Sequence, residues 1–171
     1  MRLILYAAFV LFVLGGIAIA VAVTGRRPIR VNPRSRLPAR LDLALVASVA
    51  AVIAITLVPI HGEIDVQLTP LSELIAAFTP PLQRSDLLEV AGNIFLFAPL
   101  GAVLRFRGLP LNRAVLAGVA FSVAIELAQF VVPGRTTSVD DVLLNALGVV
   151  LGYSLAAHSL KRRADGGLEI P

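Results

Sequence analysis

The chain has 171 residues, of which 57% are hydrophobic and only 15% charged, and its formal net charge is +4. A soluble domain is about half apolar and about a quarter charged, and here the mean hydropathy reaches +0.87. Such a composition excludes a disordered chain and an ordinary cytosolic enzyme, and a chain without Cys is no disulfide scaffold.

Five apolar runs approach or meet the ~20 residues that a spanning helix needs. They are Leu3 to Val23, Leu43 to Ile60, Leu87 to Leu104, Ala114 to Val132 and Val139 to Ala157. Backbone groups in lipid must be satisfied within the chain, so these runs predict helices, and no alternating ten-residue segments suggest a barrel. The expected fold is an all-α, polytopic membrane bundle of five transmembrane helices. For the first run the alternative is a cleaved signal peptide, since Arg2 precedes it and Ala18-Ile19-Ala20 resembles a cleavage site. The run is long for that role.

The charges orient the bundle. Arg26, Arg27, Arg30, Arg34, Arg36 and Arg40 lie between runs one and two; Arg105, Arg107 and Arg113 between runs three and four; Lys161, Arg162 and Arg163 after run five. Only Arg2, Arg84 and Arg135 fall on the other side. Basic loops stay in the cytoplasm, which predicts the N-terminus outside and the C-terminus inside. The pI of 10.6 therefore reflects topology, and no nucleic-acid partner is expected. The chain divides into a first helix with an Arg-rich cytoplasmic linker (1–42), a membrane domain (43–157) and a basic tail (158–171). The outer segment His61 to Asp86 is long enough for a short interfacial helix over Leu71 to Phe78, stopped by Thr79, Pro80 and Pro81.

With that orientation three helices carry polar residues to one depth. Glu89 and Asn93 are four apart on run three, Glu126 and Gln129 three apart on run four, and Asp140, Asp141 and Asn145 open run five; Arg135 lies in the loop between runs four and five. Glu126 is the deepest acid, roughly 9 Å from the helix end at ~1.5 Å per residue. A charge there is costly, so it should be neutralised by a proton or by Arg135, and it marks a functional site by default. Asn93, Gln129 and Asn145 have a second reading as interhelical hydrogen-bond glue. Asp140 has one as the cap of run five, leaving Asp141 to point inward. Glu89 is shallow enough to be solvated, and His61 reads as a wetted loop residue. Gly148 and Gly152 extend the Asp141–Asn145 stripe, and Gly101, Gly118 and Ser122 lie on the same faces as the polar residues, which predicts close helix packing there. Pro99 frees a carbonyl within run three and should bend it.

Three segments together carry a resemblance: Gly92-Asn93-Ile94-Phe95-Leu96-Phe97-Ala98-Pro99-Leu100-Gly101; Ile125-Glu126-Leu127-Ala128-Gln129; and Arg135 followed by Asp140-Asp141-Val142-Leu143-Leu144-Asn145-Ala146-Leu147-Gly148. In this order and spacing they resemble the VanZ-like family of bacterial membrane proteins, whose pattern runs N-x-x-x-F-x-P-x-G, E-x-x-Q, then R followed by D-x-x-x-N-x-x-G. The resemblance covers about residues 43–157. It departs at Ser138, where many relatives carry an acid, which leaves open how many acids the site needs. It implies a multi-pass protein of the bacterial plasma membrane and cell envelope; the name-giving member is linked to resistance to teicoplanin, a lipoglycopeptide. By residue match it implies Asn93, Glu126, Gln129, Arg135, Asp141 and Asn145 as functional positions, without established catalytic roles.

Four functions are open to such a site. A binding or remodelling protein for membrane lipids or a cell-wall precursor would use the cup as a headgroup site, with Arg135 on phosphate or carboxylate. An intramembrane enzyme would use Glu126 as general acid or base, oriented by Asp141. Hard carboxylates suit Mg²⁺, but no metal or cofactor motif is present, and no nucleophile stands out. A proton-coupled transporter would need an inverted repeat and an acid path that the chain lacks. A scaffold would use the polar cluster only to fix packing. The first is the reading favoured by the residues.

Overall fold

In the computed structural model the described residues are 37–56, 65–81, 83–129 and 136–165. They form five helices and one short strand pair: α1 (Leu37–Thr56), β1 (Asp65–Gln67), α2 (Ser72–Phe78), α3 (Arg84–Phe106), α4 (Leu111–Gln129), β2 (Thr136–Ser138) and α5 (Val139–Asp165). Four of them, α1, α3, α4 and α5, are long and apolar enough to cross a membrane. The first apolar run, Leu3 to Val23, lies outside the described residues, as do its signal-peptide alternative and most of the Arg-rich linker. The fold is therefore the expected helical membrane bundle, and many of its large apolar side chains are exposed, as lipid-facing residues must be.

Helix ends extend past the apolar runs. α1 begins six residues before Leu43, with Pro38 in its first turn, where a missing N–H does no harm. α5 continues through Lys161, Arg162 and Arg163 to Asp165, so the basic tail begins as helix. Hydropathy marks what lipid requires, whereas a helix carries charged residues freely once it leaves the hydrocarbon. α3 runs on through Pro99. It ends in a Schellman turn: Gly108 takes φ 78°, its N–H donates to the Arg105 carbonyl at 2.9 Å, and the Leu109 N–H donates to the Leu104 carbonyl at 3.1 Å. That tight reversal makes α3 and α4 antiparallel neighbours.

The interface between α3 and α5 is set by glycine. A methyl at Gly152 would overlap the Ala98 carbonyl, one at Gly148 the Ile94 carbonyl, and one at Gly101 the Val149 carbonyl. The backbones touch along the stripe that the sequence marks as small. Phe97, Ile125, Val52 and Val149 fill the core, with the Phe97 and Phe121 rings 5.8 Å apart. At the end where α3 and α5 finish, Arg107 pairs with Asp42 of α1, and the Tyr153 hydroxyl donates to the Leu109 carbonyl at 2.9 Å.

The opposite end is covered by α2, which the sequence places over Leu71 to Phe78. Ala77 is fully buried and packs with Val90 of α3 and Leu144 of α5. Leu71, just before α2, has φ 66°, a left-handed conformation that a residue with a Cβ rarely adopts. Its N–H donates to Oδ1 of the buried Asp140. The parallel pairing of β1 with β2, Asp65 opposite Thr136, joins this cover to the start of α5. The sequence offers no sign of it, since three residues carry no alternation.

Candidate functional site

A cavity of about 430 Å³ lies between α1, α3, α4 and α5. Asn93, Glu126, Gln129, Asp141 and Asn145 all line it, together with Glu89, Gly92 and Thr56. Five of the six matched positions thus share one wall although they come from three helices. The sixth, Arg135, lies outside the described residues, as does His61. His158 is exposed near the far end of α5.

Each polar side chain is placed by a specific partner. Glu126 is buried on the last turns of α4, and its Oε2 accepts from the Ser138 N–H at 2.9 Å. The carboxylate so engages the backbone that opens α5 and ties α4 to it. Asp141 accepts from the Asn93 amide, which links α5 to α3. The Asn145 amide donates to Ser122 Oγ at 2.8 Å, and Ser122 is fully buried. The Gln129 amide donates to the Thr56 carbonyl at 3.0 Å, which closes α4 onto α1. A carbonyl can only accept, so this bond fixes which end of the Gln129 amide faces it. The glue reading of Asn93, Gln129 and Asn145 is therefore a correct description of one half of each amide.

The other half differs. Gln129 Oε1 and Asn145 Oδ1 are buried and have no hydrogen-bond partner among the described residues. Buried acceptors are nearly always satisfied, and leaving one unmade costs ~1–3 kcal/mol. Both residues line the cavity, and the two oxygens lie closed off from solvent behind its surface.

Asp140 is not the cap of α5. Ser138 precedes the helix, and its Oγ accepts from the Asp140 N–H at 3.1 Å, the N-cap arrangement. The Asp140 side chain instead turns away to hold Leu71. Ser138 thus both caps α5 and presents its own N–H to Glu126. Ser122 and Thr56 bond Asn145 and Gln129, and the sequence does not assign either to the site. Ser122 had a trace, its spacing of four from Glu126; Thr56 contributes through its backbone, which leaves no mark in side-chain chemistry. Among the described residues no group of three His, Cys, Asp or Glu is placed to hold a metal ion.

Comparison with known proteins agrees with the motif reading. The family model described as VanZ/LLP1 matches residues 43–161, which includes all four described spans apart from the ends of α1 and α5. No curated protein and no solved structure matches the chain. The matched region takes in well over half of the sequence and every residue of the cavity wall, and on that basis the chain belongs to the VanZ/LLP1 family.

Proposed function

We propose that this VanZ-like membrane protein lies in the bacterial plasma membrane and uses the cavity, facing outward, to bind or remodel a lipid or lipid-linked precursor of the cell envelope. The observation that carries the reading is the placement of three carboxylates (Glu89, Glu126 and Asp141) and three amides around one cavity within spanning helices. Polar groups in such helices are costly and face protein or a water-filled space, and this wall is more than helix packing requires. Arg135 stands only six residues beyond Gln129 and would supply a cation for a phosphate or carboxylate. A protein that holds cell-wall precursors would connect to resistance against teicoplanin, which acts on them. A second reading, an intramembrane enzyme, is favoured by Glu126 and Asp141 sharing the cavity. Glu126 would then act as general acid or base, and Asp141 would orient it.

One assay separates the two. Purified wild type and Glu126→Gln are incubated with envelope lipids, with and without Mg²⁺, and the lipids are read by mass spectrometry. Retention of an unaltered lipid supports binding. A new lipid species made by wild type and not by Glu126→Gln supports the enzyme. Neither outcome with any lipid would leave the cavity as a packing device.

The outward orientation rests on the arginine distribution, and it has its own test. Ser138 is too buried to label, but Gln83 at the α2 end and Arg162 at the other are exposed. An impermeant thiol reagent added to intact cells should label Gln83→Cys and leave Arg162→Cys untouched; the reverse pattern would invert the bundle.

A further inference from the structure

The cavity has two properties that together specify a ligand class. Its mouth is rimmed by large apolar side chains that face away from the protein: Leu88 is 72% exposed, Phe95 74% and Ile55 60%. On spanning helices such residues meet acyl chains. Between them sits Gly92, where a Cβ would find nothing within 4 Å. The threshold of the cavity is thus open, flanked by these apolar side chains and by the exposed Glu89. Its lining, in contrast, includes Gln129 and Asn145, 5% and 3% exposed, whose Oε1 and Oδ1 are buried without a hydrogen-bond partner among the described residues. Among the described residues the wall contains no Lys or Arg.

We propose that the cavity takes an amphiphile from the side, out of the bilayer, and recognises O–H or N–H donors on its headgroup through Gln129 and Asn145. The inference rests on the lipid-binding reading and makes it specific. A headgroup with hydroxyl or ammonium donors satisfies both acceptors. A headgroup with neither leaves them desolvated and unpaired, which lowers affinity by about tenfold or more. The Thr56 carbonyl prevents Gln129 from turning its amide to suit an acceptor ligand without breaking an existing bond. An apolar groove of about 390 Å³ between α3 and α5, lined by Ala98, Pro99, Ala102 and Leu155, begins at the same Phe95 and gives the acyl chain a path along the bundle.

The test uses the full-length protein in detergent, with native mass spectrometry as readout. The probes are phosphatidylglycerol, phosphatidylethanolamine and phosphatidylcholine of one chain composition. The ethanolamine and choline lipids carry the same charges and differ in three N–H donors. Retention of the glycerol or ethanolamine lipid at least tenfold above the choline lipid is the expected result, and which of the two is favoured identifies hydroxyl or ammonium as the donor. Gln129→Met, close in volume and without an acceptor amide, should reduce that ratio; if it fails to fold, Asn145→Leu and the wild-type panel still decide. Equal retention of all three lipids overturns the donor inference and leaves lipid binding standing. Retention of none overturns the lipid-binding reading itself.

Discussion

Gly152→Val is expected to pull α3 and α5 apart and to destabilise the bundle severely. The reason is what a side chain would strike. At Gly152 even a methyl overlaps the Ala98 carbonyl, which belongs to a helix backbone and cannot rotate aside. Extra methylenes in a packed core cost ~1–3 kcal/mol when neighbouring side chains yield. Here the backbones themselves must separate, and the loss should lie at or above that range. Separation would also break the bond between Asn93 and Asp141, which spans the same two helices. Thermal unfolding of the purified protein should show a midpoint lower by several degrees or more, at ~2–4 °C per kcal/mol for a chain of this size. An unchanged midpoint would mean that α3 and α5 do not meet along this stripe.

Gly92→Leu should do the opposite: spare the fold and abolish occupancy of the cavity. Gly92 lies on the same helix as Ala98, but its Cβ would project into open space. Removing a mid-helix glycine costs nothing in propensity and can gain up to ~1 kcal/mol. The leucine would instead fill the threshold between Leu88 and Phe95. A lipid present at about a hundred times its Kd stabilises the protein that binds it by ~2.7 kcal/mol. Added envelope lipid should therefore raise the unfolding midpoint of wild type and leave that of Gly92→Leu unmoved. Equal responses from both would place lipid somewhere other than this cavity. The two glycine variants together separate packing from function, since one glycine faces a neighbouring backbone and the other faces empty space.

The spans are legible in the sequence because lipid imposes a severe demand on composition. Runs of some twenty apolar residues are rare outside membranes, and α3, α4 and α5 fall where the runs do. The convergence of Asn93, Glu126, Gln129, Asp141 and Asn145 is also readable, because spacing within a helix and depth across a membrane fix a residue's position almost completely. What stays hidden depends on backbone. The Ser138 N–H, the Thr56 carbonyl and the β1–β2 pairing contribute main-chain groups that every residue possesses, so no residue type announces them. Asp140 illustrates the same limit. An acid at a helix start suggests a cap, yet Ser138 takes that role and Asp140 reaches 69 residues back to the N–H of Leu71. Nothing local distinguishes those two uses of a carboxylate. Gly92 belongs to a sequence motif, but only the structure shows that it borders empty space while Gly101, Gly148 and Gly152 border carbonyls.

The division matters for how the site would work. Glu126, Asp141 and Asn93 are held by the frame of the bundle, so the polar wall is preorganised before any ligand arrives. Preorganised groups lose little freedom on binding, and the affinity they give is correspondingly larger. Gln129 and Asn145 each donate an amide N–H to the frame and leave one buried oxygen without a partner among the described residues.

The most direct measurement of the proposed lipid site is native mass spectrometry of wild type and Gly92→Leu released from the same bacterial membranes. A bound lipid carried by wild type and missing from Gly92→Leu, with both proteins equally folded, is the predicted result. Identical lipid content in the two, or none in either, would contradict it.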